Sequence, residues 1–242
     1  NTGAQAVKMP AYIGEVYPFR YCEIENYKGM LTPQSVQREM VHYPFNDEES
    51  DFISSDDTLN QIWELCKYSI KATSFAGLYV DGDRERIPYE ADALINQLCH
   101  YSVDREFSMA RNSYEYLLFH PTWPTEWTLQ SVLLAWYDYL YTGNPASLRQ
   151  YYDLLKHKTL SALAGKHGFI STVEPEPSKE VLASVHLHDT QMRDIVDWPH
   201  TGILGLGKNE AGETDGYEFK PVNTVVNAFH YRTLVLMAHI AA

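Results

Sequence analysis

Ser54-Ser55-Asp56-Asp57-Thr58-Leu59-Asn60-Gln61-Ile62-Trp63-Glu64-Leu65-Cys66-Lys67-Tyr68-Ser69-Ile70-Lys71-Ala72-Thr73 sets the reading of the whole chain. Ser54, Ser55, Asp56 and Asp57 offer helix N-caps, and Leu59, Ile62, Trp63, Cys66, Ser69, Ile70 and Thr73 then recur at helical spacing. Five more such patterns follow downstream. One starts near Pro88, with Leu94, Ile95, Leu98 and Tyr101 on one face; a third runs from about Asp104 to Phe119 and a fourth from about Thr125 to Tyr141. Gly143 stops the fourth, and Pro145 opens a fifth that carries Leu148, Tyr151, Tyr152, Leu155, Leu160 and Leu163 and ends at His167-Gly168. A last helix begins near Pro221, with Val222, Val225, Val226, Phe229, Leu234, Leu236 and Met237. Short connections between successive helices favour antiparallel hairpins, so the expected fold is mainly α.

Upstream of Ser54 the pattern changes. Asn46-Asp47-Glu48-Glu49-Ser50-Asp51 is a polar linker. Before it, Tyr17 to Glu25 and Ser35 to Tyr43 are strand candidates, bounded by Pro18, Asn26-Tyr27-Lys28-Gly29 and Pro44. Two strands cannot bury a core alone, so residues 1–45 read as the C-terminal part of a β-domain and 46–242 as a helical domain. Residues 168–220 hold Gly and Pro clusters with no long periodic run.

Composition narrows the function. A net charge of −13 over 242 residues opposes binding to nucleic acid and fits a neutral ligand such as a sugar. No apolar stretch reaches the length of a membrane span. Cys22, Cys66 and Cys99 are far apart and read as buried thiols, neither a disulfide framework nor a metal site. His186-Leu187-His188-Asp189 hints at a metal or a dyad, yet solvated loop histidines account for it better, and no metal or cofactor is expected. Asn1 opens in polar sequence with no signal-peptide pattern, so the compartment is not directly readable. Eighteen Tyr and five Trp suit stacking on sugars, although helical cores use them too.

Val80-Asp81-Gly82-Asp83-Arg84-Glu85-Arg86-Ile87-Pro88-Tyr89-Glu90-Ala91-Asp92 packs five carboxylates and two arginines into a loop that feeds a helix. No core needs that cluster, and crowded charges shift one another's protonation, which lets a general acid and ionised carboxylates coexist. Glu85 between Arg84 and Arg86 fits an acid, or a salt-bridge knot holding the loop. Asp92 fits a carboxylate that accepts sugar hydroxyls, or one that favours the positive end of a helix. In His120-Pro121-Thr122-Trp123-Pro124-Thr125-Glu126-Trp127, two prolines stiffen a loop that presents Trp123 and Trp127 around Glu126, which would be awkward inside a core. Asp194-Ile195-Val196-Asp197-Trp198-Pro199 is a third acid–aromatic run, and Asp215-Gly216-Tyr217-Glu218 follows in a turn. Gly205-Leu206-Gly207 is weak as a nucleotide signal.

Asp81, the Arg84-Glu85-Arg86 step and Asp92 resemble the catalytic loop of the α-L-rhamnosidases of glycoside hydrolase family 78. There an Asp is followed by an acidic residue flanked by a basic one, a Gly-Trp pair and a further Asp. Asp197-Trp198 and Asn223-Thr224-Val225-Val226-Asn227-Ala228-Phe229 are also similar to family motifs. The resemblance implies that residues 46–242 are the first part of an (α/α)6 barrel, truncated on its C-terminal side, after the end of a β-sandwich domain. It implies a bacterial enzyme, periplasmic or secreted, that removes terminal α-L-rhamnose by an inverting acid/base mechanism and acts with the remaining domains of its parent chain. Glu85 would be the general acid. Asp81, Asp83, Arg84, Asp92, Trp123, Glu126, Trp127, Asp197 and Trp198 would bind the sugar. The general base is expected beyond residue 242, leaving this chain inactive alone. Three departures mark a divergent loop: the usual Cys-Pro after the first Asp is absent and the loop is one residue shorter, so either Asp81 or Asp83 fits that first role; Pro88 and Ala91 replace glycines; and Tyr89 stands for Trp. Another (α/α)6-barrel glycosidase, of glucosidase or trehalase type, and a sugar-binding module without turnover are the rival readings.

Overall fold

A computed structural model describes residues 5–188, 190–196 and 220–242. Helices dominate it: α1 (Asp57–Ala72), α2 (Glu90–Val103), α3 (Ser108–Phe119), α4 (Thr125–Thr142), α5 (Ala146–Gln150), α6 (Tyr152–Lys158), α7 (Lys179–Ser184) and α8 (Thr224–Ala241). The expected mainly α architecture is therefore present. Local chemistry sets the helix ends. The Asp56 carboxylate accepts from the Thr58 amide at 2.8 Å, and Asn223 does the same for Val226 at 2.8 Å. Gly143 closes α4 in the left-handed region at φ 64°.

Four sequence expectations are corrected. Residues 17–25 and 35–43 form no strand; the segment runs extended and exposed, broken by a 3-10 turn at Pro33–Ser35. β-Prone side chains alone supply no ladder partner. The described strands lie elsewhere, in the hairpin β1 (Ser74–Phe75) and β2 (Leu78–Tyr79). Ala76 and Gly77 turn it, both at positive φ as its two-residue loop requires. The fifth helix is divided at Tyr151 and stops at Lys158, because Leu160 turns left-handed at φ 57°. Cys22 and Cys66 are exposed and Cys99 half-buried, so these free thiols are not core residues. The apolar face of α1 is likewise partly open: Leu59 and Ile62 are exposed, while Ile70 is buried and Trp63 stacks on Phe52.

The core centres on α4, with eleven of its eighteen residues buried, so it shows almost no solvent face. It packs on α2, α3, α6 and, most extensively, α8. Leu117, Leu118, Val132, Leu134, Ala135, Leu155 and Leu236 fill the space between them. One ion pair crosses this core. Asp138, 1% exposed, accepts from Arg111 Nε at 3.0 Å and from the Tyr101 hydroxyl at 3.2 Å. Arg111 also reaches Thr142 Oγ1 and the Asn144 carbonyl at 3.2 and 3.3 Å. Among the described residues no helix is long and apolar enough to cross a membrane.

Candidate active site

The charged loop between β2 and α2 closes on itself. The Asp81 amide donates to the Ile87 carbonyl at 3.0 Å, the Ile87 amide returns to Asp81 Oδ1 at 3.0 Å, and the Arg86 amide donates to Gly82 at 3.0 Å. Arg86 sits at φ 57°, an uncommon setting for a side chain other than glycine. Its guanidinium is held on every side: over the Phe75 ring at 4.8 Å, on Asp83 Oδ1 through Nε and Nη2 at 2.9 and 2.7 Å, and on the Val16 carbonyl. The Arg86 carbonyl accepts from the Val7 amide at 2.8 Å. Arg86 and Asp83 thus bind the extended N-terminal segment to the loop.

Glu85 faces the other way. One carboxylate oxygen pairs with Arg84, and the other accepts from the Tyr89 hydroxyl at 2.8 Å. The Arg84 side chain is 86% exposed, so that ion pair contributes about 0–1 kcal/mol. Tyr89 is the N-cap residue of α2, and its ring meets the Trp127 indole edge-on at 5.3 Å. Burial, the hydrogen bond to Glu85 and the charges of Glu85, Asp81 and Asp92 all push the Tyr89 phenol well above its ordinary pKa, which keeps it a hydrogen-bond donor. Asp92 lies in the first turn of α2. Burial raises its carboxyl above the usual range, and Asp81, Glu85 and Glu90 raise it further. Asp81, Glu85, Asp92, Tyr89 and Trp127 form one cluster.

The remaining expected residues take other places. The Asp83 carboxylate is turned to Arg86, and Arg84 projects outward. Trp123 lies under the Arg193 guanidinium at 5.2 Å. Glu126 is inside the core after all, 3% exposed, and two backbone amides satisfy it. Its Oε1 accepts from Val196 at 2.6 Å, and its two oxygens accept from Ile195 at 3.2 and 3.3 Å. Burial raises its pKa, and the amides pull it back. Asp197, Trp198, Asp189, Gly205-Leu206-Gly207 and the Asp215–Glu218 turn lie outside the described residues.

Glu126 is one of three clamps on the segment before Asp197. The Thr125 amide donates to the Arg193 carbonyl at 3.0 Å. Asp194, buried and with a raised pKa, accepts from Thr172 Oγ1 at 3.2 Å and from the Asn223 side chain that caps α8. Sequence reasoning did not single out Tyr89 as a functional residue; its signal was an aromatic hydroxyl one turn after Glu85 at a helix start. Among the described residues no three His, Cys, Asp or Glu side chains converge as metal ligands.

A loop carrying one carboxylate beside a phenol, with two more carboxylates and an indole around it, can give a proton and hold hydroxyls. Comparison with known families agrees with that chemistry. The family model for the bacterial alpha-L-rhamnosidase 6 hairpin glycosidase domain matches residues 47–242. No curated protein and no solved structure matches the chain. The match takes in every helix described above and the whole charged loop, on a mainly helical fold of the kind such a domain has. The chain belongs to the bacterial alpha-L-rhamnosidase six-hairpin glycosidase family, and its helical part is a glycoside-hydrolase domain.

Proposed function

We propose that this domain removes terminal α-L-rhamnose from glycans or glycosides with inversion, and that Glu85 is the general acid. The observation that carries the reading is the Tyr89 hydroxyl on Glu85 Oε2 at 2.8 Å, with Asp81 and Asp92 in electrostatic reach of the same phenol. Tyr89 fixes one carboxyl oxygen, and the other exchanges its exposed Arg84 partner for the glycosidic oxygen. The proton moves from Glu85 to that oxygen as the bond to the anomeric carbon breaks. Water attacks from the opposite face, and a second carboxylate takes its proton; in inverting enzymes the two carboxyls stand about 6.5–9.5 Å apart to admit the water.

Asp81 and Asp92 accept sugar hydroxyls and stabilise positive charge at the anomeric carbon. Trp127 forms an apolar wall suited to the methyl group of a 6-deoxy sugar. Asp197 and Trp198, next in sequence to Val196, join the pocket on sequence alone. Glu126 acts indirectly, by holding the backbone that leads to them. Trp123, Asp83 and Arg84 belong to the rim.

The test is leaving-group dependence, in protein expressed from the full reading frame. Glu85→Gln should cut turnover on aryl glycosides with poor leaving groups about 10²–10⁴-fold, and far less on activated ones. Asp92→Asn should weaken both alike, because hydroxyl contacts serve whatever is leaving. Equal losses with Glu85→Gln across the series would remove Glu85 as the acid. Cleavage of aryl glucosides in preference to aryl rhamnosides would overturn the sugar assignment.

A further inference from the structure

Beneath the first turn of α2 lie two charged side chains that the proposed chemistry does not use. Glu90 and Lys158 are both 0% exposed. Glu90 follows Tyr89 directly and precedes Asp92 by two residues, so whatever anchors it also sets those two. Its Oε1 accepts from the Thr122 amide at 3.0 Å and its Oε2 from the Thr122 hydroxyl. Thr122 belongs to the turn that starts α4, and the first turn of α4 carries Trp127, which meets Tyr89. A closed circuit results, running from Tyr89 to Glu90, Thr122 and Trp127 and back to Tyr89.

Lys158, the last residue of α6, is buried within electrostatic reach of Glu90, farther than the 4 Å of a direct ion pair. Among the described residues its Nζ makes no hydrogen bond, and the Glu90 charge favours its ammonium form. Burial draws its pKa down to about 8, and Lys158 is the foremost influence opposing the upward pull of burial on Glu90. A glutamate at a helix start and a lysine at a helix end gain from the macrodipole at the surface, with no need to be buried. Removing both from water is costly, and a helical core gains nothing from it. Glu90, through Thr122, ties two site-bearing elements together.

We infer that Glu90, with Lys158 as its buried counter-charge, is a positioning residue for the glycosidase site: it locks the start of α2 to the Thr122 turn, so that the Tyr89 hydroxyl meets Glu85 and its ring meets Trp127. This rests on the reading of Glu85 as the acid. Glu90→Gln keeps the shape and an acceptor for Thr122 while removing the charge, and Lys158→Met removes the ammonium at similar length. Both are compared with wild type and Glu85→Gln on an aryl-glycoside series of whichever sugar the wild type cleaves. A displaced acid costs most where the departing oxygen needs its proton. Each variant should therefore lose about ten- to hundredfold in kcat on poor leaving groups. It should lose much less on activated ones, with KM little changed.

A purely structural role would lower all rates by one factor and lower the Tm, and that result would overturn the inference. If either single variant fails to fold, Glu90→Gln/Lys158→Met, which leaves neither charge unpaired, is judged by the same criterion. A loss confined to KM, or a uniform loss in the double variant, also overturns it. Should Glu85→Gln itself show no leaving-group dependence, the reading of the acid fails. Should Glu85→Gln show it and the Glu90 and Lys158 variants not, the positioning role alone fails.

Discussion

Truncating Glu126 to alanine should free residues 195 and 196 while leaving the helical array folded. The carboxylate is buried and holds the Ile195 amide at 3.2 Å and the Val196 amide at 2.6 Å. Hydrogen bonds to a charged acceptor contribute about 1.5–3 kcal/mol each, so local opening should become easier by about 3–6 kcal/mol. At 1.4 kcal/mol per factor of ten, those two amides should exchange with solvent about 10²–10⁴-fold faster. The cost stays local because a loop can turn its amides to water, whereas α4 keeps its packing on α2 and α8. The Arg193 amide, which donates to the Trp123 carbonyl at 3.4 Å, should keep its protection. Hydrogen exchange resolved at single amides measures this directly. Glu126→Gln retains one acceptor oxygen and should fall between. Unchanged protection of Ile195 and Val196 in Glu126→Ala would refute the clamp.

Arg111→Met should cost about 3–5 kcal/mol in urea unfolding, because Asp138 stays buried with its charge uncompensated. A loss under about 1 kcal/mol would mean the pair behaves as a surface one. Gly143→Ala should cost about 1–2 kcal/mol, since φ 64° strains a Cβ, and Gly143→Asn should cost less. Asp92→Asn should raise the Tm at neutral pH while lowering activity. The sign follows from the raised carboxyl: Asp92 favours the fold only when protonated, so that contribution is complete below its unfolded value of 3.8 and is lost as pH rises through its higher folded value. The Tm advantage of the variant should thus be absent at the lowest pH and appear above it; a lower Tm than wild type at pH 7 would contradict the burial cost.

Helix starts and stops were legible because they are local chemistry: Asp56, Gly143 and Asn223 each cap through atoms within a few residues. What failed depends on distant partners. Tyr17 to Glu25 has the composition of a strand but meets no second strand among the described residues. Cys66 lies on an apolar stripe, yet burial requires something to cover that stripe. The charged loop stood out because no core explains it, but sequence could not rank Asp81 against Asp83. At the left-handed turn Arg86 takes up the Asp83 carboxylate together with the Val16 carbonyl and Glu15, contacts that lie far apart in sequence. Glu126 looked awkward for a core because its amide partners lie some seventy positions away at Ile195 and Val196.

The broad contact of α8 with α4 has a kinetic consequence. α2, α3 and α4 are neighbours in sequence, so their mutual packing closes only short loops. α8 reaches α4 only after the chain between Thr142 and Thr224 has been drawn together. Each doubling of a flexible loop adds about 0.6 kcal/mol to the entropy of closing it, and contacts of long sequence separation form late. The α2–α4 unit therefore gathers first, and Asn223 meets Asp194 only when α8 arrives. The scaffold of the charged loop thus precedes the clamp on residues 193–196 in folding time.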